Sequence, residues 1–157
     1  MVYLGGQAFS GLAREAALKL LELSDGQVVA LHETPLGFRH GPKTIVNDKT
    51  LIVMFLGNDA YARQYDEDLL KELRADGIAA RVLALRTGEG THVDDVSVAG
   101  AERASDLSLC FPYAVFAQAF AFLQSLELGI RPDTPNARGI VHRVVQGVTI
   151  HAWTPPR

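Results

Sequence analysis

Leu51 to Leu56 reads Leu-Ile-Val-Met-Phe-Leu, an unbroken apolar run closed by Gly57-Asn58-Asp59. A strand with one face in water alternates apolar and polar residues. A short continuous run instead marks a strand covered on both faces, as in a parallel sheet held between helices. Parallel neighbours need crossover connections, and the chain supplies them. Val2 to Leu4 is apolar and stops at Gly5-Gly6. A helical pattern then runs from Ser10 to Ser24, with Leu12, Ala16, Leu20 and Leu23 on one stripe, widened by Ala13, Ala17 and Leu21. Ser10 is placed to cap it and Asp25-Gly26 to end it. Val28 to Leu31 reads as the second strand. Thr34 to Pro42, with two prolines and two glycines, reads as loop. Asp59 can cap a helix from Ala60 to Ala75, closed by Asp76-Gly77. Arg81 to Leu85 is the next strand, and a short edge strand is expected around Val96. Asp106 to Cys110 is apolar, and Pro112 can open a helix from Tyr113 to Leu128. The tail, 131–157, carries a late β-like stretch at Val144 to Ile150. The pattern predicts an α/β fold, a three-layer αβα sandwich with about five mainly parallel strands.

The remaining bulk properties narrow the function classes. The chain has 157 residues, the size of one ordinary domain, and 48% are hydrophobic, enough for a core. The net charge is -3, with Lys and Arg scattered rather than striped, which argues against nucleic acid as a partner. Cys110 has no second cysteine to pair with and sits between Leu109 and Phe111, the setting of a plain core thiol. No run of the roughly 20 apolar residues that span a membrane is evident. No signal-peptide pattern opens the chain, so a soluble cytoplasmic protein is expected. The chain enters a buried strand almost at once, which suggests a piece of a longer protein or one completed by another chain.

Ligands of open parallel sheets sit beyond the carboxyl ends of the strands, where the strand order reverses. Gly5-Gly6 and the Thr34–Pro42 segment both follow strands and are expected on that edge. Gly5 and Gly6 can present backbone N–H groups to an anion, or simply permit tight packing. Lys19 and Glu22 are spaced i,i+3 on one helix face. Such a pair can shuttle a proton between adjacent carbons and steady the resulting enediolate, or be an ordinary surface pair. His40, in Arg39-His40-Gly41-Pro42, can open a sugar ring by moving a proton, or be a loop histidine held by backbone bonds. Arg143 can meet a phosphate or the solvent. Tyr61, Tyr65 and Arg63 suggest an exposed aromatic face used in packing or subunit contact. His32, His92, His142 and His151 have no ligand spacing, so neither a metal nor an organic cofactor is expected.

Taken together, Leu4-Gly5-Gly6, Ala17-Leu18-Lys19-Leu20-Leu21-Glu22, Arg39-His40-Gly41-Pro42-Lys43 and Arg143-Val144-Val145-Gln146-Gly147 resemble the sugar isomerase (SIS) domain. The resemblance is greatest to the second of the two such domains in tagatose-6-phosphate ketose/aldose isomerases, also described as galactosamine-6-phosphate deaminases. It implies a phosphosugar aldose–ketose isomerase or deaminase. Glu22 would be the base that moves a proton between C1 and C2. Lys19 would steady the enolate oxygen, and His40, from a neighbouring subunit, would help open the ring. Gly5, Gly6, Arg39, Arg143 and Gln146 would contact substrate. The related domain of glucosamine-6-phosphate synthase forms a Schiff base through a lysine near its C-terminus. Here Val144-Val145-Gln146-Gly147 stands at that place, with no lysine. In these proteins Ser and Thr residues of the first domain hold the phosphate. The expected partners are therefore a sugar phosphate and a first SIS domain or a second copy of the chain, giving a homo-oligomer without nucleic acid or membrane. The alternatives are a phosphosugar-binding module without turnover, and an inert half that only assembles through the helix at Tyr113–Leu128, with Phe116, Phe120 and Leu123 on its docking side.

Overall fold

A computed structural model describes residues 1–141 and 144–154. Five strands form one fully parallel sheet: β1 (Val2–Gly5), β2 (Leu31–Glu33), β3 (Leu51–Phe55), β4 (Arg81–Thr87) and β5 (Asp95–Val98). Their spatial order is β2-β1-β3-β4-β5. The expected α/β sandwich is therefore present, and the strand order reverses between β1 and β3. The continuous run Leu51–Phe55 occupies the middle of the sheet, and its side chains alternate between two cores. Val53 and Phe55 join Tyr3 and Leu85 on one face. Ile52 and Met54 join Val2, Leu4 and Ala84 on the other.

The first face is covered by α1 (Phe9–Leu23) and α4 (Asp106–Glu127). Helix α1 buries Phe9, Ala13, Ala16, Ala17 and Leu20. The stripe is centred one step from the predicted one, so Leu21 faces out and Leu12 and Leu23 lie at its border. Ala8, not Ser10, holds the N-cap position, and no side chain caps this end. Gly5 makes the close approach possible: a Cβ there would stand 2.5 Å from the Phe9 carbonyl oxygen.

The second face is covered by α2 (Pro35–Arg39) and α3 (Ala60–Asp76). The segment expected as loop is thus partly helical. Thr34 accepts a hydrogen bond from the Gly37 N–H at 3.1 Å, and Pro35 fills the first helical position, where its missing N–H is harmless. Pro42–Ile45 adds one 3-10 turn. Strand β2 starts later than the sequence suggested because its register pairs Leu31 with Val2, at the first residue of β1.

Helix α4 begins before Pro112, not at it. Ser105 caps it by accepting from the Ser108 N–H, and Pro112 lies inside, where it deprives the Ser108 carbonyl of its usual donor. The continuous helix of 22 residues is long and apolar enough, by length and composition, to cross a membrane, a property hidden when the segment is split at Pro112. One side of it, Leu109, Tyr113, Ala117 and Ala121, is buried in the core. A second stripe, Leu107, Phe111, Val115, Phe122 and Leu126, is exposed along its length. Phe116 and Phe120, expected on the docking side, stack on each other at 6.2 Å against the core; Leu123 is exposed. Val144 to Ile150 is not a strand. Among the described residues no partner strand lies beside it, and its side chains are exposed.

Candidate functional site

A cleft of about 520 Å³ opens at the switch point, between the carboxyl ends of β1 and β3. Gly6 and Gln7 form one wall, Gly57 the base, and the first turns of α2 and α3 the rest. Asp66 projects from the inward face of α3, the same face that buries Leu69, Leu70 and Leu73. Its carboxyl is pushed up to about 6, mainly by burial, with Asp106 and Glu67 adding repulsion. Asp106 is fixed from across the cleft. It accepts from the Asn58 N–H at 2.6 Å, and Gly57 leaves room for its carboxylate, which a Cβ would approach to 2.5 Å. Asn58 in turn donates to the carbonyls of Ala101 and Ala104 at 2.9 Å each, tying the β3 loop to the start of α4. Tyr61 and Tyr65, expected as a packing surface, line this cleft edge to face, with their hydroxyls 2.9 Å apart.

Lys19 and Glu22 lie elsewhere. Helix α1 starts at the carboxyl edge of the sheet and runs back, so its last turns sit at the opposite edge. There Lys19 donates to Glu22 at 2.8 Å, with Glu15 3.7 Å away. The Glu22 hydrogen bond, opposed by slight burial, holds the Lys19 ammonium above its ordinary range. Both side chains reach solvent. His40 follows α2 and is exposed on the other side of the sheet. Its neighbour Arg39 is engaged with Glu72 of α3 at 2.7 Å, and Lys43 binds the same carboxylate and Asp76. One chain therefore unites Lys19 with Glu22 but keeps His40 apart from them.

No family model matches the sequence. The chain is 47% identical over 160 residues to the D-galactosamine-6-phosphate deaminase AgaS of Escherichia coli, covering 98% of this chain and 41% of that protein. It is 40% identical over 153 residues to the D-galactosamine-6-phosphate deaminase AgaS of Shewanella sp. strain ANA-3, covering 98% of this chain and 38% of that one. The crystal structure of tagatose-6-phosphate ketose/aldose isomerase from Escherichia coli matches with a TM-score of 0.84 at 42% identity, over 98% of this chain and 40% of that chain. Over nearly its whole length the chain is similar to a sugar isomerase (SIS) domain of this group. It spans about two fifths of the length of these relatives.

The other expected contacts are dispersed. Gly6 reaches the cleft, whereas Gly5 is spent on packing α1. Gln146 is exposed in the tail, and Arg143 lies outside the described residues. The Ser105–Ser108 pair serves as the α4 cap. Cys110 is half-buried beside the core, and burial pushes its thiol up, the mark of an unreactive sulfur. Asp66 went unnoticed in the sequence, although a signal was there. Extending the Leu69, Leu70, Leu73 stripe back by one turn lands a carboxylate on the core face of α3.

Proposed function

We propose that this chain is a sugar isomerase (SIS) domain and supplies the acid–base half of a phosphosugar aldose–ketose isomerase that also releases ammonia from an amino-sugar 6-phosphate. The observation that carries the reading is the Lys19–Glu22 pair, an ammonium and a carboxylate 2.8 Å apart on an exposed helix face. The names of the relatives, galactosamine-6-phosphate deaminase and tagatose-6-phosphate isomerase, give the substrate class.

In the proposed reaction His40 moves a proton between the ring oxygen and the anomeric hydroxyl, opening the ring. Glu22 removes the proton from C2 and returns it to C1, and Lys19 balances the charge that develops on O1. The enolamine so formed becomes a ketimine at C2. Water then adds to C2, and the C–N bond breaks to give ketose phosphate and ammonia. Because α1 and α2 cover opposite faces, the His40 that serves a given Lys19–Glu22 pair comes from a second copy of the chain. The phosphate contacts come from a first SIS domain, and we assign its docking to the exposed α4 stripe.

The test of the shared site is complementation. His40→Ala and Glu22→Gln are each made in the chain joined to the remaining part of the Escherichia coli relative. Both should be inactive alone and regain partial activity when their subunits are mixed. Two fully active variants, with correct folding, would refute the reading.

A further inference from the structure

The switch-point cleft has a composition that an anion would not choose. Asp66 is more than nine-tenths buried, faces the cleft, and has no hydrogen-bond or ion-pair partner among the described residues. Asp106 adds a second carboxylate, and the guanidinium of Arg63 is drawn off to Glu67 at 3.5 Å and the Gly57 carbonyl at 3.4 Å. At three of the helix starts around the cleft, those of α2, α3 and α4, side-chain oxygens already occupy backbone donors of the kind that hold phosphate. Asp59 accepts from the N–H groups of Tyr61 and Ala62, Thr34 from that of Gly37, and Ser105 from that of Ser108. Apart from Gln7, the walls are otherwise mainly apolar or aromatic, with Phe9, Leu36, Tyr61 and Tyr65.

A buried carboxylate without a partner is costly, and a second one nearby raises that cost. A ligand that brings a cationic donor removes both penalties at once, whereas a phosphate would add a third negative group. We propose that this cleft binds a small hydroxylated primary amine in its ammonium form, an unphosphorylated amino sugar being the class that fits. Asp66 receives the ammonium, Asp106 supports it electrostatically, and the tyrosines and Leu36 cover the carbon skeleton. The cavity is within the usual range for a site of this kind. The cleft lies at the opposite edge of the sheet from Lys19 and Glu22, so binding there needs no turnover.

The probe is D-galactosamine, titrated into the chain at pH 7 by calorimetry and by amide chemical-shift mapping. D-galactose, N-acetyl-D-galactosamine and inorganic phosphate are the controls. Saturable galactosamine binding is expected, with shift changes centred on Gly6, Thr34 and Asp66. The two uncharged sugars should bind about tenfold or more weaker, as should galactosamine to Asp66→Asn. Phosphate should not compete. Circular dichroism checks the variant's fold, and the wild-type shift map decides the matter if the variant does not fold. Absence of saturable amine binding, shifts centred elsewhere, equal binding by folded Asp66→Asn, or displacement by phosphate would each overturn the proposal. Loss of the isomerase reading alone would leave these outcomes untouched.

Discussion

The carboxylate oxygens of Asp66 lie 3.8 and 3.9 Å from the point where a Cβ on Gly6 would stand. The glycine turn that follows β1 thus faces an acid, not an open anion cradle. In the unfolded chain this carboxyl titrates near 3.8, and in the fold near 6. Between those values the folded state keeps a proton that the unfolded state has lost. Stability therefore falls as pH rises from about 4 to about 6, and remains lower above. Allowing for solvent screening, the loss is about 1–2 kcal/mol. Asp66→Asn should remove this slope and unfold at higher denaturant concentration than wild type at pH 7. Urea midpoints measured from pH 4 to pH 8 check it, and a variant that is less stable at pH 7 contradicts it.

Gly5 illustrates a position fixed by backbone approach. An alanine Cβ would stand 2.5 Å from the Phe9 carbonyl oxygen and 2.8 Å from its carbon, atoms that cannot swing away. Gly5→Ala should destabilise by about 1–3 kcal/mol, whereas Gly11→Ala, where nothing lies within 4 Å, should not destabilise. Denaturant titration of the two variants makes the comparison.

Asp95 on β5 is fully enclosed. It pairs with Arg74 at 2.7 Å and Arg86 at 3.4 Å, and accepts from the Thr91 N–H at 2.8 Å. Burial pushes its carboxyl up, but the Arg74 hydrogen bond and the Thr91 N–H outweigh it, so the group stays below its ordinary range. Its contribution is present at neutral pH and disappears as pH falls below 3.8. Asp95→Ala would strip the buried Arg74 guanidinium of its carboxylate, while Arg86 keeps Glu67 at 2.9 Å, and a loss of about 3–5 kcal/mol is expected by thermal or urea unfolding at pH 7.

The stripe on α4 gives a prediction that separates assembly from folding. Phe111 is 76% exposed. Phe111→Ser should leave the melting temperature of the isolated chain within a few degrees, because little burial is lost. It should weaken association with the remaining part of the Escherichia coli relative, read by analytical ultracentrifugation. Unchanged association would remove α4 from the docking surface.

Much of the sandwich was legible because its signals are local. The run at Leu51–Phe55, the Asp59 cap and the Gly77 stop each act within a few residues. The errors share a different cause. Pro35 reads as a loop residue and Pro112 as a helix opener, yet a Thr cap makes the first a helix start and core packing by Leu109 and Tyr113 carries α4 through the second. Val144 to Ile150 has β composition but, among the described residues, no neighbouring strand to pair with. The Lys19–Glu22 contact followed from helical spacing alone. The separation of His40 from that pair depends on which face each crossover takes, and the Asp66 cleft depends on elements brought together only by the sheet. Neither is encoded in a short window.

The most direct measurement is ammonia and ketose release from galactosamine 6-phosphate by the chain joined to the remaining part of the Escherichia coli relative. Glu22→Gln keeps the shape of the side chain and removes its basicity. The predicted result is a drop in kcat of about 10²–10⁴ with the circular dichroism spectrum unchanged. An undiminished kcat would show that Glu22 carries no proton in this reaction.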